Sequence, residues 1–427
     1  MPPLPPTRPT ACAALAAVWL AVAPGCADDD SSATSTASSD ATGADDGGGG
    51  SSSGATTTPG GTTGGSGSSG PSADSTSTGP TEDPRLAVTA DWQAGTLSLL
   101  DIAMLAEGAT SRDEILVDTI DVSEFAPGPL QVELTSDGAT AVVTVSPGFF
   151  GGVVGNLIGA GDVAQEGRLL IVDIASRSVT AALMPAHVPM GIAIDSSGGT
   201  AYTANYGTDD EVGTTMSVID VGAGAVAQDI EVGGRPEQVS LSSDGSLGII
   251  NLAADGTVRI FETADPEGTL STPLMVSDDP SDVDFIEGTS YAIVANSVDE
   301  PSYAIIDVSD PAAPVLVEDA PPPGGVPYGA TPIPGTADAL VTTTTFTEVI
   351  LLRVAAGRTP SSVVWQVTQA RTVGFPLGVA VDPALSIALA GVPGDDLLLV
   401  VDLDGEGLRT IDWLDDNGPT YVAIEAP

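Results

Sequence analysis

The chain has 427 residues, with 58 acidic side chains against eleven arginines, no lysine and a formal net charge of −47. A charge this negative repels nucleic acid and anionic lipid headgroups, and so excludes both as electrostatic partners. A single histidine, His187, and two cysteines leave almost no material for a Ser-His-Asp triad, a multi-histidine metal centre or a disulfide framework.

Residues 1–25 read as an export signal. Arg8 supplies a thin positive region, and Ala11–Ala23 an apolar run of 13 residues, too short to span a bilayer. The run Ala23-Pro24-Gly25-Cys26 resembles a bacterial lipobox, with Ala23 where that family prefers leucine. The resemblance implies cleavage ahead of Cys26 and a diacylglycerol on its sulfur. The alternative is an ordinary signal peptide cut after Ala23, which would leave Pro24 first in the mature chain. Cys12 lies inside the signal, so Cys26 would be the only mature cysteine. A protein anchored in this way is expected outside the cytoplasm, in the cell envelope. Ala27 stands where an inner-membrane retention aspartate would be, which favours the outer membrane.

Residues 26–84 are expected to be a disordered tether. From Ala27 on they are almost entirely Asp, Ser, Thr, Gly, Ala and Pro, with no aromatic residue and no Leu, Ile, Val or Met. Such a stretch cannot bury enough apolar surface to offset chain entropy. As a flexible coil it would reach roughly 40 Å. It holds nine of the acids, so the remaining residues still carry 49 acids against ten arginines. The charge belongs to the folded part.

From Arg85 to Pro427 one phrase recurs. A proline opens a short alternating strand, and two more apolar strands follow. The phrase begins GPLQVELTSDG (Gly128–Gly138), VPMGIAIDSSGG (Val188–Gly199), RPEQVSLSSDG (Arg235–Gly245), DPSDVDFIEG (Asp279–Gly288), VPYGATPIPG (Val326–Gly335), FPLGVAVDP (Phe375–Pro383) and GPTYVAIEAP (Gly418–Pro427). The third strand has its own formula, as in LSLLDI (Leu97–Ile102), RLLIVDI (Arg168–Ile174) and YAIIDV (Tyr303–Val308). Near-continuous Val/Ile/Leu runs suit strands covered on both faces. Four short strands per unit of about 49 residues predict an all-β, seven-bladed β-propeller. The first unit opens on its second strand, RLAVTADW (Arg85–Trp92), and the last stops after its first, GPTYVAIEAP. The C-terminal strand is therefore expected to complete the first blade. Closure of this kind removes open sheet edges.

These formulas resemble the YVTN-type and LVIVD-type propeller repeats of secreted bacterial and archaeal proteins. The resemblance covers Arg85–Pro427 and is strongest at GRLLIVDI and TAYTANYG; VILLRV (Val349–Val354) departs from it, with Arg353 where aspartate is usual. It implies a fold rather than a function, because that family spans surface proteins, lactonase-like enzymes and uncharacterised members.

In a propeller, the loops from the fourth strand to the next blade share a face with those joining the second and third strands. Ligands are expected on this face, around the channel mouth. The candidate residues there are Glu124, His187, Arg235, Asp278, Asp279, Asn417, Tyr328 and Tyr421, with Gln131, Glu237 and Asp282 just inside. Phe149 and Phe150 join them, on the insertion Ser146–Gly167, which is either a contact surface or a plug folded over its own blade. His187 alone carries no catalytic constellation. Asp209-Asp210-Glu211 lacks the spacing of a calcium loop. Asp101, Asp173, Asp220, Asp307 and Asp402 recur with the unit and are expected to be turn devices. No concentrated polar site is apparent in the sequence. No cofactor or metal is implied, and a monomer is expected. The reading is a membrane-tethered binding or scaffold protein, anchored at Cys26, with a protein or small-molecule partner. The alternatives are a lactonase-like enzyme and a cation-dependent surface protein.

Overall fold

The computed structural model describes residues 84–125, 128–146, 166–208, 211–297, 300–371, 374–404, 407–413 and 418–426. Cys26, Phe149 and Phe150 lie outside them. Seven four-stranded antiparallel sheets form the blades of a propeller. The strands of each blade are lettered a to d from the channel outward. Blade 1 joins both ends of this region: strand a is Pro419–Ile424, b is Leu86–Asp91, c is Thr96–Asp101 and d is Leu116–Asp121. Ala87, Val88 and Thr89 pair with Ile424, Ala423 and Val422, as the split repeat predicts. Blades 2 to 7 span Pro129–Leu183, Ile192–Glu231, Pro236–Met275, Pro280–Ala320, Val326–Ala370 and Val379–Asp412.

The unbroken apolar runs of the c strands follow from the blade stack. In blade 1, Leu97 and Leu99 face blade 2 and pack with Val132, Val143 and Leu170. Leu100 faces the other way, onto Leu389, Leu398 and Ile411 of blade 7. Each fully buried aliphatic side chain contributes about 1.5–3 kcal/mol. Polar residues on the b strands pin neighbouring blades together near the channel. Thr144 Oγ1 donates to the Met190 carbonyl at 2.8 Å, and Asn251 Nδ2 to that of Pro280 at 2.5 Å. Thr420 Oγ1 donates to the Leu130 carbonyl at 2.5 Å, carrying the same pin across the seam between the chain's ends.

The recurring aspartates are turn devices. Asp173, Asp220, Asp307 and Asp402 each accept a backbone N–H two or three residues ahead. Asp101 caps a helix instead. Helices α1 (Ile102–Glu107) and α2 (Arg112–Ile115) interrupt blade 1 between c and d, and the repeat pattern does not foretell them. They bury Leu105 and Ile115 against Trp413 and Ile411 of blade 7. The Arg112 guanidinium lies 5.0 Å from the centre of the Trp413 ring, strengthening the seam further. Blade 6 is regular despite Arg353, whose Nε donates to Asp338 at 2.8 Å; an ion pair replaces the usual aspartate turn.

Candidate functional site

The seven a strands line the central channel. Counting from the leading proline, the second residue around the ring is Gln131, Gly191, Gln238, Asp282, Gly329, Gly378 and Tyr421. The pairing register shifts between this region and the next strand in blades 1, 2, 4, 5 and 6. Bulges of this kind re-aim side chains at sites. Two of the three glycines make room for the large residues. A Cβ on Gly378 would lie 2.3 Å from the Tyr421 ring, and one on Gly191 2.6 Å from Gln238. Gln238 Nε2 donates to Tyr421 Oη at 2.8 Å. Blades 4 and 1 stand on opposite sides of the ring, so this bond is a bar across the channel.

On the d–a face of the bar, the wall divides by chemistry. Trp92, Leu130, Met190, Phe375 and Leu377 form one apolar arc, with Tyr206 and Tyr421 packed against it. The opposite arc carries Glu237, Asp279, Arg235 and Tyr328. Arg235 holds a left-handed backbone (φ 52°) and is buried, its Nη1 donating to Tyr206 Oη at 3.1 Å. Tyr328 bridges the arcs, its ring 5.6 Å from that of Phe375.

Burial pushes the Glu237 carboxyl well above the usual range, and the charges of Asp279 and Asp282 push it further, against the pull of Arg235. Asp279 is raised by burial too, despite the Ser297 hydroxyl and Arg235. Burial lifts Asp282 to about 8, although the Ala330 and Val283 N–H groups bond it. Below the bar, burial raises Glu133 to about 8 and Asp284 to about 7. The Tyr328 phenol rises to about 12, chiefly through burial. Five carboxyls thus converge on one channel, where the sequence showed no concentrated polar site. All five are raised toward or into the neutral range or beyond, where exposed carboxyls are fully ionised, so the channel can hold and exchange protons.

The other expected site residues fall around this centre. Tyr328 and Tyr421 are in the channel and Arg235 beside it. Asp278 is exposed at the rim, and its charge raises Asp279. His187 is half-buried on the same face, with Nδ1 3.8 Å from Glu211 Oε1. Among the described residues no three His, Cys, Asp or Glu side chains gather as a metal site.

No protein-family model and no curated protein matches the chain. Solved structures do. A functionally unknown protein from Desulfotomaculum acetoxidans DSM 771 aligns with a TM-score of 0.60 at 16% identity, over 80% of this chain and 99% of that one. Kuenenia stuttgartiensis hydrazine synthase aligns with a TM-score of 0.53 at 16% identity, over 65% and 77%. Likeness at this level shows a shared fold alone.

Sequence reasoning placed Asp279 among the d–a loop residues but missed Glu133 and Asp284. Glu133 and Asp284 sit two residues beyond Gln131 and Asp282, on the same side of an alternating strand. Extending the register by one step would have found them.

Proposed function

We propose that this chain is a membrane-tethered, extracytoplasmic binding propeller that takes a small molecule or a partner's side chain at the d–a mouth of its channel. The observation that carries the reading is the two-sided mouth. An apolar arc around Trp92, Phe375 and Leu377 faces an acidic arc around Glu237 and Asp279. Apolar walls with a few convergent polar groups are the usual build of a ligand site. The tether and the lipobox-like Ala23–Cys26 motivate the envelope location, and the anchor at Cys26 belongs to the proposal. The test is a ligand screen of the purified protein beside its Tyr328→Ala variant. Removing an aromatic anchor should weaken a true ligand by about 2 kcal/mol or more. Hits that bind both forms equally would sink the proposal.

One observation favours a second reading, a lactonase-like enzyme. Carboxyls with raised pKa values are general acids or bases near neutral pH. Hydrolysis of a lactone panel that is lost in Glu237→Gln would favour this reading over simple binding.

A further inference from the structure

The channel below the Gln238–Tyr421 bar plays no part in that reading. It widens into a cavity of 320 Å³ that opens on the opposite face, where the a–b turns lie. Glu133, Asp284 and Thr331, each four residues after its leading proline, give it polar lining, with Glu133 and Asp284 coming from blades 2 and 5 on opposite walls. Val422, Ala423, Ala380 and Phe285 supply an apolar lining, and none of the described lining residues is cationic.

The ionisable groups lining it, Glu133, Asp284 and Glu287, are all carboxyls, which only accept once ionised. Asp284 takes the Ser240 hydroxyl and the Phe285 N–H, both on Oδ1. Glu133 receives a hydrogen bond from the Gln131 amide. Gln131 is only 6% exposed. Its Nε2 also reaches the Ile192 carbonyl, at 3.5 Å, while its Oε1 is buried with no hydrogen-bond partner among the described residues. A buried acceptor left unpaired costs about 1–3 kcal/mol. Glu133 is also repelled by Asp284 across the cavity. A ligand that removes both penalties must bring N–H donors and positive charge.

We propose that the lower chamber binds a protonated amine or guanidinium group. It would be held between the Glu133 and Asp284 carboxylates, would donate to Gln131 Oε1, and would rest its carbon skeleton on Val422 and Ala423. A directly coordinated metal fits less well, because among the described residues no three ligating side chains lie close enough together to hold one ion. The site is independent of the d–a mouth, since the bar separates the two. Without ligand, Glu133 and Asp284 hold protons to about 8 and about 7. Asp284 in turn raises Asp282, and Glu133 helps to raise the Tyr421 phenol of the bar, while Glu287 stands at the rim with its Oε2 accepting the Gly335 N–H. A cation entering at neutral pH therefore displaces protons.

The test is titration calorimetry of detergent-purified full-length protein at pH 7 with 1,4-diaminobutane and with guanidinium, in two buffers of different ionisation enthalpy. The expected result is one saturable site whose heat depends on the buffer, reporting released protons. The Glu133→Gln/Asp284→Asn double variant should lose affinity at least tenfold, about 1.4 kcal/mol. Should the double variant misfold, Asp284→Asn alone should lose at least threefold. The Tyr328→Ala variant of the upper mouth should bind as the parent does, which separates this site from the other. No saturable binding, binding untouched by the carboxyl variants, or a heat that does not change with buffer would overturn the proposal. So would Ca²⁺ binding more tightly than either probe.

Discussion

The Asp284→Asn substitution isolates one consequence of the acidic channel. The Asp284 carboxyl is raised from 3.8 to about 7 by burial. Between those values the native state keeps a proton that the unfolded chain releases. Stability is therefore lost as pH rises through this window, and is fully present below it. Three pH units at about 1.4 kcal/mol each give a ceiling of about 4 kcal/mol at pH 7 and above. The side chain is half-buried beside a 320 Å³ cavity open on one face, and screening by solvent there halves the figure to about 2 kcal/mol. Asparagine keeps the two bonds that Asp284 accepts on Oδ1 and carries no charge. The variant should melt about 2–4 °C higher than the parent at pH 8 and within about 1 °C of it at pH 4. Intrinsic fluorescence reports the transition, since Trp92, Trp365 and Trp413 are all buried. A variant that melts lower at pH 8, or whose difference from the parent is the same at both pH values, would refute the assignment of a strained carboxyl.

Deleting Gly418–Pro427 removes strand a of blade 1, exposing the edge of strand b and removing buried Val422 and Ala423; we expect loss of cooperative melting and aggregation, read by scanning calorimetry and light scattering. Gly378→Ala puts a Cβ against the Tyr421 ring and should cost about 1–3 kcal/mol by overpacking, visible as a lowered denaturation midpoint in urea. Replacing Cys26 with Ser should move the protein from the membrane to the soluble fraction, and unchanged fractionation would remove the lipid anchor. Changing Phe149 and Phe150 to Ser should weaken a partner, once found, and leave melting nearly unchanged; equal losses would make the insertion a structural plug.

Sequence legibility varied with the range of the interactions. The blades were readable because each is a local repeat, and the closure because GPTYVAIEAP matches a first strand and RLAVTADW a second. The turn role of Asp173 or Asp307 was readable because the bond reaches only two or three residues. Helix α1 was missed although its signals are present: Asp101 caps its N-terminus and Gly108 takes the left-handed turn at its end. The repeat pattern led the eye past them. The channel carboxyls were harder, because Glu133 and Asp284 meet only when the ring closes, from blades three apart. Their raised pKa values depend on burial that no local pattern records. The glycines at 191, 329 and 378 were visible within the repeat, but their purpose was not. Gly191 and Gly378 leave space for a side chain from the next blade, and Gly329 for Thr342 of its own blade and the Leu377 carbonyl.

The central claim is that the d–a mouth, between the apolar and acidic arcs, is where this propeller binds. The most direct measurement is a crystal structure of the protein soaked with the tightest hit from the ligand screen. Ligand density is expected above the Gln238–Tyr421 bar, touching Tyr328 and Phe375 on one side and Glu237 or Asp279 on the other. Density on the outer blade edges, with the mouth unchanged, would contradict it.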